Sequence, residues 1–477
     1  MTDNTPALAK RALSLDALRG FAILTMVLSG VVPYRTLPGW MYHAQTPPPS
    51  RMFDPSVPGI TWVDLVFPFF LFALGAAIPL ALSKRIEKGA SWVYLLRTIA
   101  ERTLLLVFFS IFLRHIRPHV INPDIYSNPT WSAWFLALLG FAVMFAIFLR
   151  SPETWKRNLS LGIKAFGWLG ALLFCVLIRY PDGSRFSLQR SDIILIVLTN
   201  GFLFGSLAWL FTRDKLLLRL GLMGILIAIR LAHPVAGWVQ TIWNYSPIPW
   251  IYKLYYLQYL LIIIPGTIVG DFFVDWMKKT EIAHSPGWSR GRLMGLVVLM
   301  VGFQVLMLVG LYARWLWQTT SLACVFCGIG FYLVKKPLTE TERLLCKLFQ
   351  WGVYWLILGL IFEPFEGGIK KDHPTLSYYF VTIGLAVFLL IAFEIIIDLF
   401  RQPRTLRLLI DNGQNPMIAY VGWANLLWPL LGLTHLYTYF EKITPGPWPG
   451  FGRALFYTLI LAVFVSYCTR KKLYWRT

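Results

Sequence analysis

Apolar runs close to the ~20 residues that an α-helix needs to cross a bilayer core succeed one another along this chain, with short basic clusters at their ends. A soluble fold does not tolerate that pattern, because its helices need a polar face toward water. The candidate spans begin near Ala17, Val63, Thr98, Trp131, Leu161, Ile193, Leu216, Leu254, Leu293, Ser321, Leu348, Tyr378, Pro416 and Ala454. Several are short or interrupted. The expected architecture is therefore an all-α, polytopic integral membrane helix bundle of about ten to fourteen transmembrane helices. Both ends are basic (Lys10, Arg11; Arg470, Lys471, Lys472), which favours an even number of crossings. Loops on the side of the termini carry about twice as many Lys and Arg as the opposite loops, so N- and C-termini are expected in the cytoplasm.

Only 14% of the residues are charged and 57% are apolar, where a soluble protein carries about 25% charged residues. That excludes a soluble enzyme. A length of 477 residues would otherwise suit roughly three soluble domains. No linker or change of composition separates such domains, so residues 1–477 read as a single transmembrane domain. The formal charge of +21 does not mean a nucleic-acid partner, because the basic residues cap spans rather than form a stripe. Membrane lipid is the partner they imply. The first span follows a short polar leader without a small-residue cleavage site, and reads as a retained helix. Cys324 and Cys327 form a CxxC inside an apolar run, with neither a second pair nor a histidine nearby. They read as packing residues, and no metal site is expected.

A charge inside a span costs roughly 2.5–3.5 kcal/mol on insertion scales, so the polar groups at membrane depth are the candidates for chemistry. Asp16 and Arg19, in SLDALRG, share a helix face and read either as an interfacial anchor or as part of a site. His43 lies in the proline-rich loop between the first two spans, and Asp64 opens the second in WVDLVFPFF. An imidazole moves protons near neutral pH or attacks an activated acyl group, and a carboxylate orients it. The plain alternatives are a solvated loop histidine and a helix-capping aspartate. His115, His119, His233, His373 and His435 are placed in outer loops, and His284 in a basic inner loop. Toward the C-terminus, Glu363 and Glu366 beside two lysines read as an ion-pair cluster rather than a glycosidase pair. Glu394 and Asp398 share a helix face near the inner end of their span and read as snorkelling acids, with a proton relay as the alternative. Asn412 and Asn415 serve either a sugar or pantetheine amide, or a helix cap before Pro416.

These segments resemble the heparan-alpha-glucosaminide N-acetyltransferase family, within the wider transmembrane acyltransferases. The resemblance is carried by SLDALRGFAILTMVL (14–28), His43, GITWVDLVFPFFLFALGAAI (59–78), IKKDHPTLSYYFV (369–381), NPMIAYVG (415–422) and RKKLYW (470–475). The middle, roughly 115 to 345, carries none of it. The resemblance implies an enzyme that uses cytoplasmic acetyl-CoA as co-substrate to acetylate the amine of a glucosamine-type sugar or glycan acceptor across the membrane. It implies His43 as the active-site histidine, either carrying the acetyl group or acting as base. Asp64 would steady it, and Lys371 or Asn415 would support the oxyanion. Arg19, Lys84, Arg85, Arg97 and Arg102 would hold the nucleotide phosphates. Asn412 joins Asn415 and Lys371 as a substrate-binding candidate. The lack of a large domain before the core suits a bacterial inner membrane, and a homodimer is compatible with the reading.

The chain departs from the family in three places. Prolines 47, 48, 49, 55 and 58 lengthen the His43 loop, Ser29 or Gly30 stands where the family has an asparagine, and Trp423 follows YVG in place of a histidine. The acceptor pocket is therefore expected to differ in shape. A transporter or flippase of a sugar- or lipid-linked substrate and a polysaccharide O-acetyltransferase remain as alternatives.

Overall fold

A computed structural model describes residues 11–122, 129–150, 155–279 and 287–476. Lys10 and His284, both weighed above, lie outside the described residues. Among those described, twelve helices are long and apolar enough to cross a membrane, from Leu13–Val31 to Pro447–Arg470. The remaining two expected spans also form helices, Trp92–His115 and Leu216–Ala232. The first carries Arg97, Glu101, Arg102 and Arg114, and the second has only 17 residues, so the first is more charged and the second shorter than the rest. The two short strands, Leu149–Arg150 and Tyr474–Trp475, pair antiparallel and fasten the tail to the bundle. Trp475 is buried against Phe109, Phe141, Phe145 and Phe148, which gives the RKKLYW motif a packing role.

Burial ranks the helices. Leu376–Leu399 has 89% of its apolar window inside the protein and forms the axis, whereas Arg157–Leu177 and Leu316–Leu333, at 17% and 22%, face outward. Lipid is as apolar as leucine, so the helices are held by close packing rather than by escape from water. Glycine makes that packing possible. Gly266 and Gly270, spaced four apart, set the Leu260–Lys278 helix against Trp62–Glu87: a Cβ on either would lie 2.5 or 2.4 Å from a carbonyl of that helix. The Leu13–Val31 helix approaches Arg407–Gln414 more closely still. A Cβ on Gly413 would lie 1.7 Å from the Asp16 carbonyl oxygen. Gly413→Ala is therefore expected to cost about 1–3 kcal/mol, the usual range for overpacking, read as a lowered midpoint in thermal unfolding of the detergent-purified protein.

Charges at depth are paired. Arg219, 1% exposed, donates to Asp271 at 2.6 Å, and Trp209 donates to the same carboxylate at 2.9 Å. Glu394 does not snorkel as expected: it is fully buried and accepts from Ser14 of the first helix. His115 is likewise not a loop residue. It ends the Trp92–His115 helix, buried, with its Nδ1 2.8 Å from the Ile111 carbonyl.

Candidate active site

The second long helix begins at Trp62 with Thr61 as its cap and Asp64 three residues in. The Asp64 Oδ2 accepts from the Thr61 backbone N–H (2.9 Å) and the Ala44 N–H (3.2 Å), with the Thr61 hydroxyl oxygen 3.2 Å away. Thr61 also donates to the Tyr42 carbonyl at 2.6 Å. This reciprocal cap satisfies donors that a helix start leaves unpaired, and it pulls residues 42–44 onto the helix end. The Asp64 Oδ1 is thereby turned to the His43 Nδ1, 2.7 Å away. Asp64 is wholly buried, while the His43 side chain is 38% exposed. Such an arrangement fixes the Nδ1–H tautomer and presents Nε2 as the proton-accepting face. Tyr378, from the axial helix, donates to the Asp64 carbonyl at 2.7 Å and locks the cap from behind.

Lys371 completes the group. Its Nζ lies 3.2 Å from Nδ1 and 3.3 Å from Nε2 of His43, over the ring. The segment that carries it is held by two ion pairs, to Arg314 in the turn after the Arg290–Tyr312 helix (from Glu363) and to Arg230 of the Leu216–Ala232 helix (from Glu366), each at 2.6 Å, and by the Gly59 N–H donating to the Ile369 carbonyl at 2.7 Å. Glu363 and Glu366 are thus ion-pair residues, as expected, but their partners are distant arginines rather than the adjacent lysines. Arg314→Met would strand the buried Glu363 carboxylate. The expected loss is about 2–3 kcal/mol, below that of a fully buried pair because Arg314 is one-third exposed. In Arg314→Met/Glu363→Leu most of that loss should return, as seen in thermal unfolding.

The basic candidates sort into two groups. Arg85, Arg97 and Arg102 line a cavity of about 490 Å3 at the end of the bundle where the termini lie. Arg102 and Thr98 also line a second cavity of about 240 Å3, whose wall includes Arg19. Arg19 donates to the Gly413 carbonyl at 3.1 Å and lies 3.6 Å from Asp16. Lys84 stands apart: it is exposed and lines none of these spaces. From the second cavity, shared walls at Phe70, Leu106, Leu198, Pro416 and Met417 lead to an apolar crevice of about 40 Å3. Met26 and Tyr420 then border both the crevice and a cavity of about 600 Å3 at the opposite end. Four spaces thus lie in series from the Arg85 end to the His43 end. His43 is not in the wall of any of the four, but Tyr42, beside it, donates to the carbonyl of Pro33 in the wall of the last, at 2.5 Å.

Asn412 and Asn415 are corrected. Asn412 donates to the carbonyls of Leu408 and Ala462, both at 2.9 Å. Asn415 donates to Leu473 O (2.8 Å) and accepts from Trp475 N (3.1 Å). Both are buried fasteners of the tail and last helix, at the end of the bundle away from His43, with their amide N–H groups spent on backbone. Thr61, Tyr42 and Tyr378 were missed. The TxxD spacing carried a cap signal for Thr61; Tyr378 and Tyr42 act through contacts that no local pattern announces.

A family model described as a domain of unknown function (DUF5009) matches residues 11–273. Human heparan-alpha-glucosaminide N-acetyltransferase is 33% identical over 124 residues, 26% of this chain and 16% of that protein. The mouse protein of the same name is 29% identical over 121 residues, 25% of this chain and 15% of its own. The matched stretch is thus under one-fifth of either relative's length.

Proposed function

The chain belongs to the DUF5009 family, and on that footing we propose that it is a membrane acetyltransferase moving an acetyl group from acetyl-CoA to the amine of a glucosamine-type sugar. The observation that carries this reading is the His43–Asp64 pair with Lys371 against the ring. The names of the two relatives support the reaction class. Residues 1–477 act as one transmembrane domain in this reading, with the termini in the cytoplasm.

Arg85, Arg97 and Arg102, with Arg19 deeper in, suit the nucleotide phosphates of the co-substrate, since guanidinium forks pair well with phosphate oxygens. The series of cavities above them gives its acyl arm a direction of travel. His43 removes the proton as the acceptor amine attacks the thioester carbonyl, using Nε2, while Asp64 holds Nδ1–H and stabilises the imidazolium; the C–S bond then breaks and the departing CoA thiolate takes the proton back from the imidazolium. Lys371 donates to the oxygen on which negative charge develops, the role expected for an oxyanion donor. The acceptor amine takes the place at Nε2 that the Lys371 ammonium holds.

The direct test is transfer of radiolabelled acetyl from acetyl-CoA to glucosamine or a glucosamine-ended oligosaccharide by the purified protein. Product formation is expected; flux of sugar through proteoliposomes without acetylation would favour a transporter instead. The base role predicts intersecting initial-rate plots for donor and acceptor. Parallel plots would assign His43 as carrier of the acetyl group.

A further inference from the structure

The cavity of about 600 Å3 at the His43 end is the largest of the four in series, and the chemistry assigned to His43 leaves it without an occupant. Its volume falls within the roughly 300–1,000 Å3 of small-molecule sites. Five rings, Tyr34, Tyr420, Trp423, Trp428 and Tyr437, stand in its wall. Between them are two guanidiniums and one carboxylate. Arg117, 14% exposed, lies 3.5 Å from Asp192 and over the Tyr420 ring; Arg453, 15% exposed, donates to the Thr444 hydroxyl at 2.6 Å and lies 3.8 Å from Glu441. His119 also borders the space. Withdrawal from water, then the charges of Arg117 and Arg114, push its imidazole down to about 4 although part of the ring is open to the cavity, so it is neutral near pH 7.

These walls discriminate between kinds of occupant. An acyl tail would take solvent from Arg117, Arg453 and Glu441 and offer no hydrogen bond in return, and burying charge under apolar surface is costly. A bare phosphate would face Glu441 and make no use of the rings. A molecule with apolar C–H faces and a rim of hydroxyls, each both donor and acceptor, satisfies rings and charges together. That description is a pyranose.

We propose that this cavity holds the sugar rings of the acceptor, with Trp423 and Trp428 against their C–H faces and Arg117, Arg453 and Glu441 on their hydroxyls. The assignment of the sugar as acceptor rests on the transferase reading. The position suits it, because Pro33 and Tyr34 in the wall begin the loop that reaches His43, and Tyr42 ties that loop back to Pro33.

Gly30 supplies the sharpest test. It lines the cavity, and a Cβ built on it meets nothing within 4 Å, so Gly30→Leu fills the space without displacing backbone. Calorimetric titration of the full-length detergent-purified protein with a glucosamine-ended disaccharide is expected to show saturable binding. Gly30→Leu and Glu441→Gln should each weaken it at least tenfold, while Gly30→Leu leaves acetyl-CoA binding unchanged. Wild-type affinity for the disaccharide in Gly30→Leu would overturn the proposal, as would a phospholipid retained in the cavity that the sugar cannot displace. Sugar binding lost in Gly30→Leu, but without acetyl transfer by the wild type, would sink the transferase reading and leave this site standing.

Discussion

His43→Ala is expected to abolish acetyl transfer, with a loss of at least 10²–10⁴-fold, the range that a positioned proton acceptor contributes. The structure says why the loss should be chemical rather than structural. The side chain is 38% exposed, and its side-chain partners are Asp64 and Lys371. When the ring is removed, Asp64 still accepts from Thr61 and Ala44, and the Lys371 segment is still held by Arg230–Glu366 and Arg314–Glu363. The unfolding midpoint should therefore fall only modestly, by the equivalent of about 1–2 kcal/mol, because the buried Asp64 Oδ1 loses one hydrogen bond while the rest of the cap is kept. Acetyl-CoA binding should also persist, since the basic cavity near Arg85 and Arg102 lies at the other end of the bundle. Unimpaired transfer by His43→Ala with every amine and hydroxyl acceptor tried would sink the assignment.

What the sequence made legible follows from the range of the forces involved. Spans are local: a run of apolar residues predicts its own helix, and every expected span proved helical, including the two too charged or too short to pass as membrane helices by composition. The Thr61–Asp64 cap is local too, and its spacing is visible. His43 and Asp64 lie 21 residues apart, close enough in sequence for their loop-and-helix relation to be guessed. Lys371 lies 328 residues from His43 and was reached through resemblance, not through any residue pattern. The asparagines show the opposite failure. An amide in a polar segment is chemically suited to a ligand and equally to a backbone carbonyl. Only the three-dimensional approach of the tail, with Leu473 and Trp475 beside Asn415, decides between them. Glu394 went astray for the same reason, because its partner Ser14 is 380 residues away. Residue type set the possible chemistry in each case, and non-local packing chose among the possibilities.

Asp64→Asn carries the second large expected effect, and its direction follows from which oxygen does what. Oδ2 takes two backbone donors, Thr61 N and Ala44 N, and Oδ1 takes one, from His43. An asparagine here has one acceptor and one donor end. Two fixed backbone donors outcompete one rotatable ring, so the amide oxygen should take the Oδ2 position and the NH2 should face His43. The imidazole must then accept at Nδ1, which moves its proton to Nε2. That is the tautomer that cannot take a proton from the acceptor amine. The expected result is a fall in kcat of about 10³–10⁴-fold, like that seen when a catalytic histidine is held in the wrong tautomer, with the helix cap kept and the unfolding midpoint nearly unchanged. Asp64→Ala should lose activity to a similar degree and also lose about 1–2 kcal/mol of stability, since the cap goes with it. The pair of variants separates the two duties of this carboxylate. Full activity in Asp64→Asn beside an inactive His43→Ala would reduce Asp64 to a helix cap, and the orientation of the base would then have to come from Lys371 and the loop.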